Sequence, residues 1–129
     1  MKNGERETKP RYGTVNFKRR KYPRFSVDLP VEYYRINSSV IHTGRGLNIG
    51  EDGLLIYFPE QMEVSQCLRL KLFLLIGSEL NTIEVLAEVV WMNIDLDKDR
   101  KDSRCGVKLI DISPEDMTKL EEFLKSLSG

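Results

Sequence analysis

Two short stretches hold the residue types that could bind a ligand. Lys18-Arg19-Arg20-Lys21-Tyr22-Pro23-Arg24 places four consecutive basic residues and a fifth three positions later. An arginine guanidinium grips phosphate oxygens with two parallel hydrogen bonds, and its flat face stacks on an aromatic base. Arg20 and Arg24 are four apart, so a helical turn would stack them, whereas a loop would let them wrap around one ligand. Tyr22-Pro23 favours the loop, because proline pushes the preceding residue into extended geometry. Two such forks suit a ligand with more than one phosphate and an aromatic base. The second stretch is Asn48-Ile49-Gly50-Glu51-Asp52-Gly53. The Asn48 amide both donates and accepts, as reading a base edge requires, and Gly50 and Gly53 admit a ligand to the backbone without a Cβ in the way. Each stretch also has a plain structural explanation. The basic run can simply solvate a tail, and the asparagine-glycine segment can simply reverse the chain.

These stretches must be held by the elements around them, which read mainly as strands. Residues 1–17 are polar, with scattered Gly4, Pro10 and Gly13, and are expected to form a flexible basic arm. The folded domain is expected over residues 18–129. Phe25, Val27, Leu29, Val31 and Tyr33 alternate with mostly polar residues, predicting a strand with one wet face and an edge position or bulge at Pro30. A second strand is predicted from Val40 to Ile49. The Asn48–Gly53 turn follows, with Gly53 expected at positive φ, and a third strand covers Leu54 to Phe58 before Pro59. Leu68, Leu70, Leu72, Leu74 and Ile76 share one face of a fourth strand. Gly77-Ser78 turns the chain into a fifth, whose inner face is predicted as Ile83, Val85, Ala87, Val89 and Trp91. Residues 93–103 read as a charged connection and Arg104 to Ile110 as the last strand. Ser113-Pro114-Glu115-Asp116 then opens a helix with a cap residue, a first-turn proline and an acid, followed by Met117, Leu120, Phe123, Leu124 and Leu127 on one stripe. Six strands and one helix are most economically arranged as a small all-β barrel with a C-terminal helix, because closure removes exposed edges.

Charge sharpens the division of the chain. The net charge is zero, yet residues 1–24 carry nine Lys or Arg against two Glu, and residues 25–129 carry eleven against eighteen acids. A basic arm thus meets an acidic body. The chain has 129 residues, enough for one domain with its own core, and its 40% apolar and 31% charged content is that of a soluble globular protein. The two cysteines, Cys67 and Cys105, lie in strand candidates and are expected to be reduced and buried. With a single histidine, His42, on a strand face, neither a zinc site nor an acid-base constellation emerges. The aspartates between Asp95 and Asp102 lack calcium-loop spacing, and no phosphate-loop, dinucleotide or nucleophile-elbow motif is present. The chemistry expected is therefore binding without catalysis or metal. No apolar run is long enough for a membrane helix, and a cytoplasmic setting is expected.

In order and spacing the two stretches resemble the PilZ domain, a bacterial receptor module for cyclic di-GMP. The family places Arg-x-x-x-Arg before the first barrel strand, as at Arg20–Arg24, and Asp/Asn-x-Ser-x-x-Gly after the second, as at Asn48–Gly53. Val89-Val90-Trp91 and Cys105-Gly106-Val107-Lys108-Leu109 are similar to further family strands, so the resemblance runs from about residue 18 to the C-terminus. It implies a six-stranded antiparallel barrel with a C-terminal helix and a ligand, cyclic di-GMP, that regulates rather than reacts. It also implies that Arg20 and Arg24 clasp phosphates, that Arg19 adds a basic contact, that Asn48 reads a guanine edge and that Gly53 keeps the turn tight. Gly50 departs from the family's serine. The lost hydroxyl bond is worth roughly 0.5–1.5 kcal/mol, about tenfold in affinity. The resemblance further implies a protein partner in motility, pilus or biofilm control. The alternatives are a degenerate adaptor that binds protein without nucleotide, favoured by Gly50, and a nucleic-acid-binding small barrel. The acidic body and the lack of paired stacking aromatics disfavour the latter.

Overall fold

The structure, a computed structural model, describes residues 22–94 and 102–128. The predicted 1–17 arm, Arg19 and Arg20 therefore lie outside the described residues. Six strands follow in chain order: β1 (Phe25–Arg35), β2 (His42–Ile49), β3 (Gly53–Phe58), β4 (Cys67–Ile76), β5 (Glu79–Ile94) and β6 (Ser103–Ile112). All neighbours are antiparallel, and the sheet closes as β1-β2-β3-β6-β5-β4. The helix α1 (Pro114–Ser128) packs on β4 and β5.

Period-two alternation gives the closed sheet its buried inner face. Leu68, Leu70, Leu72 and Leu74 of β4 point inward, as do Ile83, Val85, Ala87 and Val89 of β5, and all eight are buried. Each fully buried aliphatic side chain stabilises the fold by roughly 1.5–3 kcal/mol relative to exposure. The helix adds Leu120, Phe123 and Leu124 to the same core, while Leu127, placed on that stripe by its spacing, is 38% exposed beside the chain end. Ser113 caps α1, its Oγ accepting from the Asp116 N–H at 3.1 Å. Asp116 does more than the expected cap chemistry, since its carboxylate accepts the Glu84 N–H of β5 at 3.0 Å and ties the helix to the barrel.

Several departures from strict alternation have identifiable causes. The ladder of β2 starts at His42, not Val40, so Val40 and Ile41 stay exposed in the connection from β1. β1 pairs with β4 only from Val31 onward, so Pro30, which lacks an N–H, sits where β1 has a single ladder neighbour, β2. A bulge between Val89 and Trp91 reverses the alternation of β5, and Trp91 lies outside, 48% exposed, instead of continuing the inner face. Cys105 is buried as expected, but Cys67 is exposed because it precedes the inward Leu68. Both are free thiols. β6 extends past its predicted end, to Ile112. Among the described residues, no helix is long and apolar enough to cross a membrane, and no group of three or more His, Cys, Asp or Glu could hold a metal ion.

Candidate functional site

The start of β1, the end of β2 and the start of β3 meet at one end of the barrel, where the two stretches singled out by sequence converge. Two bulges shape the junction. One extra residue lies in β1 between Ser26 and Leu29, and another lies in β2 between Gly46 and Asn48. Bulges bend a strand and re-aim its side chains. Here they lie immediately before Asn48, which pairs with Ser26 on one side and Leu55 on the other. The chain then reverses through Gly50–Gly53, closed by the Gly50 N–H donating to the Gly53 carbonyl at 3.0 Å. The Leu109 N–H donates to the Asp52 carbonyl at 3.0 Å and fastens the turn to β6.

Arg24 lies across this turn. Its Nη1 donates to Asn48 Oδ1 at 3.4 Å, and its Nε donates to Asp52 Oδ1 at 3.4 Å. Its Nη2 lies over Gly53, where a Cβ would come within 3.0 Å of it. The side chain is 19% exposed, against 42% for its partner Asp52. Both hydrogen bonds are at the long limit, so each partner restrains the guanidinium weakly. Arg24, Asn48, Gly50 and Gly53 are thus brought together. Asp52, read from sequence only as a turn residue, emerges as the ionic partner. The signal available was its charge, but the 28-residue separation from Arg24 hid the pairing.

The two glycines serve different purposes. Gly53 is not at positive φ, contrary to the sequence expectation; Gly77, at φ 63°, is the positive-φ glycine among the described residues. Gly53 is needed because a Cβ would run into the carbonyl oxygen of Val107 on β6. Gly50 admits the incoming chain, since a Cβ there would lie 2.8 Å from the Pro23 carbonyl oxygen and 2.9 Å from Arg24 Cδ. The segment that precedes β1 therefore rests on bare backbone at the position where the family pattern has serine.

The outer surface continues from the turn onto β6 and β5. Lys108 pairs with Gly53, and its Nζ lies 3.6 Å from Glu88 Oε1. Trp91 covers Gly106, whose missing side chain is the space the indole occupies. The opposite end of the barrel carries polar groups with a structural role. Tyr33, stacked on His42 with ring centroids 5.2 Å apart, donates to Glu60 Oε2 at 2.6 Å, and Arg35 Nη2 donates to Glu60 Oε1 at 2.9 Å. Burial, reinforced by the Glu60 carboxylate, pushes the Tyr33 hydroxyl well above its ordinary range. The Arg35 hydrogen bond holds Glu60 below the usual carboxylate value.

Comparison with known proteins places this geometry. The PilZ domain family model matches residues 18–126. No curated protein sequence matches the chain. Among solved structures, the Inhibitor of motility (MotI/DgrA) of Bacillus subtilis superimposes with a TM-score of 0.68 at 18% identity, covering 84% of this chain. The match spans about half of that protein, 52% of its length. The PilZ domain of YcgR from Escherichia coli, solved with c-di-GMP, gives 0.63 at 13% identity, covering 85% of this chain and 92% of that one. The PilZ domain of CeSA from a cellulose-synthesizing bacterium gives 0.58 at 14% identity over 83% of this chain and 99% of that one. These likenesses share the closed barrel, and the family model matches most of the sequence: the chain belongs to the PilZ domain family.

Proposed function

We propose that this protein is a non-enzymatic receptor for cyclic di-GMP that regulates a protein partner. In this reading Arg24 and Arg20 clasp the ligand's phosphates and stack on its guanines, and Arg19 adds a third cation. Asn48 reads a guanine edge, while Gly50 and Gly53 admit the ligand to the backbone. Residues 1–17 act as a basic arm on the barrel domain of residues 18–129. Closing over the dianion changes the surface offered to the partner. The setting is cytoplasmic control of motility, pili or biofilm. The YcgR structure solved with c-di-GMP supports the choice of ligand.

The observation that carries the reading is Arg24, whose guanidinium lies across the Asn48–Gly53 turn with Asn48 Oδ1 at 3.4 Å. A cation and an amide are thereby set side by side, as a phosphate next to a base edge requires. Titration calorimetry with cyclic di-GMP tests it. Arg24→Ala should lower affinity about ten- to a hundredfold, the equivalent of a charged hydrogen bond of roughly 1.5–3 kcal/mol, and Asn48→Ala up to about tenfold. Undiminished binding by both variants would remove the site, and no heat with the wild-type protein at tens of micromolar would remove the ligand.

A second reading, a nucleotide-independent adaptor, is favoured by one observation. The position of the family's serine is Gly50, and the space its Cβ would need is occupied by the Pro23 carbonyl and Arg24. Under that reading Pro23 and Arg24 rest permanently on the turn and calorimetry shows no binding.

A further inference from the structure

We infer that Asp52 is an internal competitor of the ligand, a carboxylate that occupies the Arg24 guanidinium in the empty receptor and thereby lowers its affinity for phosphates that make no further contacts. This inference rests on the cyclic di-GMP reading of the site. Asp52 Oδ1 lies 3.4 Å from Arg24 Nε, where one prong of a phosphate would bind. The same guanidinium reaches Asn48 Oδ1 at 3.4 Å and lies over Gly53, so the carboxylate, the amide and the glycine backbone surround one cation. The Asp52 backbone is fixed, because its carbonyl accepts the Leu109 N–H at 3.0 Å. Its side chain is 42% exposed and can swing away without breaking the turn.

A phosphate arriving at Arg24 must displace this carboxylate or bind against its charge. A single phosphate exchanges one anionic partner for another and gains little. A cyclic dinucleotide with two phosphates and two bases makes further contacts that the carboxylate cannot match. Asp52 thus costs affinity for every phosphate ligand and leaves useful binding only to those with additional contacts. Glu51, next in the chain, lines the grooves on either side of the turn, one with Pro23, Phe25 and Lys125 and the other with Lys108. It carries the same charge nearby, which makes it the control for a general field effect.

The experiment is calorimetric titration of cyclic di-GMP into the full chain and its Asp52→Asn, Asp52→Glu and Glu51→Gln variants. Neutralising a part-exposed ion pair and its repulsion of the ligand should tighten binding roughly three- to tenfold in Asp52→Asn. Asp52→Glu should stay within about twofold of wild type because it restores the competing charge, and Glu51→Gln should tighten binding by less than Asp52→Asn. In the unliganded protein, the Arg24 Nε–Hε resonance should shift in Asp52→Asn and hold its place in Glu51→Gln. Binding that is unchanged or weaker in Asp52→Asn, equal gains in Asp52→Asn and Glu51→Gln, or an unmoved Arg24 resonance would each overturn the inference while leaving the receptor reading intact. Absence of binding in all four proteins would overturn the receptor reading and this inference with it.

Discussion

Gly50 and Gly53 lie three residues apart, and adding one methyl group to each should have unequal consequences. At Gly53 a Cβ would collide with the Val107 carbonyl oxygen, and it would also approach Lys108 Cα at 3.4 Å. Both atoms belong to β6, whose ladder with β3 runs from Lys108 opposite Gly53 to Ser103 opposite Phe58. Neither can retreat without breaking that ladder, so Gly53→Ala should cost about 1–3 kcal/mol, the usual range for overpacking. At Gly50 the obstacle is the Pro23 carbonyl at 2.8 Å, with Arg24 Cδ at 2.9 Å, on a segment that precedes the first strand. That segment can lift, losing the two 3.4 Å hydrogen bonds of Arg24. The loss is about that of a surface ion pair, at most ~1 kcal/mol. For a chain of this length each kcal/mol corresponds to about 3–5 °C in Tm. Thermal unfolding and urea midpoints of Gly50→Ala and Gly53→Ala, measured side by side, decide the matter. Gly53→Ala should melt several degrees below Gly50→Ala. Equal losses, or a Gly53→Ala protein as stable as wild type, would refute the claim that one glycine faces fixed backbone and the other a displaceable segment.

Two further outcomes follow from the opposite end and the flank of the barrel. Glu60 is held below its ordinary value by Arg35, so its stabilisation is complete above the unfolded carboxylate value of about 4.3 and lost as pH falls through and below it. Tyr33 is shifted upward by burial and by Glu60, so its contribution is complete below the unfolded value of about 10 and lost as pH rises above it. Urea midpoints across this pH range should fall at both extremes, and Tyr33→Phe should abolish the alkaline limb while only shallowing the acid one, because Arg35 still holds Glu60 when the Tyr33 hydrogen bond is lost. Gly106→Val should push Trp91 off β6. As Trp91 is the one tryptophan in the chain, its emission should shift to the red; an unchanged spectrum would contradict the packing.

The six strands and the capped helix were legible because they rest on local periodicity and a local cap, whereas the β1–β4 and β3–β6 pairings that close the barrel are long-range. The leucines from Leu68 to Leu74 could point only one way once Arg69 and Lys71 stood between the first three, and Ser113-Pro114 supplied the start of a helix. Trp91 escaped the same logic because a bulge inserts one residue between it and Val89, and a single extra residue exchanges the two faces. No local sequence signal separates a bulged strand from a regular one when Val89, Val90 and Trp91 are all apolar. Cys67, by contrast, was readable: its position one before Leu68 already placed it outward.

The site was legible in its members and not in its contacts. Arg24 and Asn48 were recognisable by chemical type, but the approach of Asp52 to Arg24 depends on β1 folding back beside β2, a long-range event that spacing does not encode. Glycine is ambiguous for a related reason. The residue is demanded either by an unusual φ or by a neighbour where a Cβ would lie, and the sequence presents both demands identically. At Gly53 the neighbour is decisive, not the φ. At Gly50 the absent serine hydroxyl first reads as a lost ligand contact, yet the same vacancy is what lets Pro23 and Arg24 settle on the turn. The departure from the family pattern and the resting place of the arginine are therefore one feature. A serine at position 50 would require the Pro23 carbonyl to move, and Arg24 would leave Asp52 and Asn48 with it.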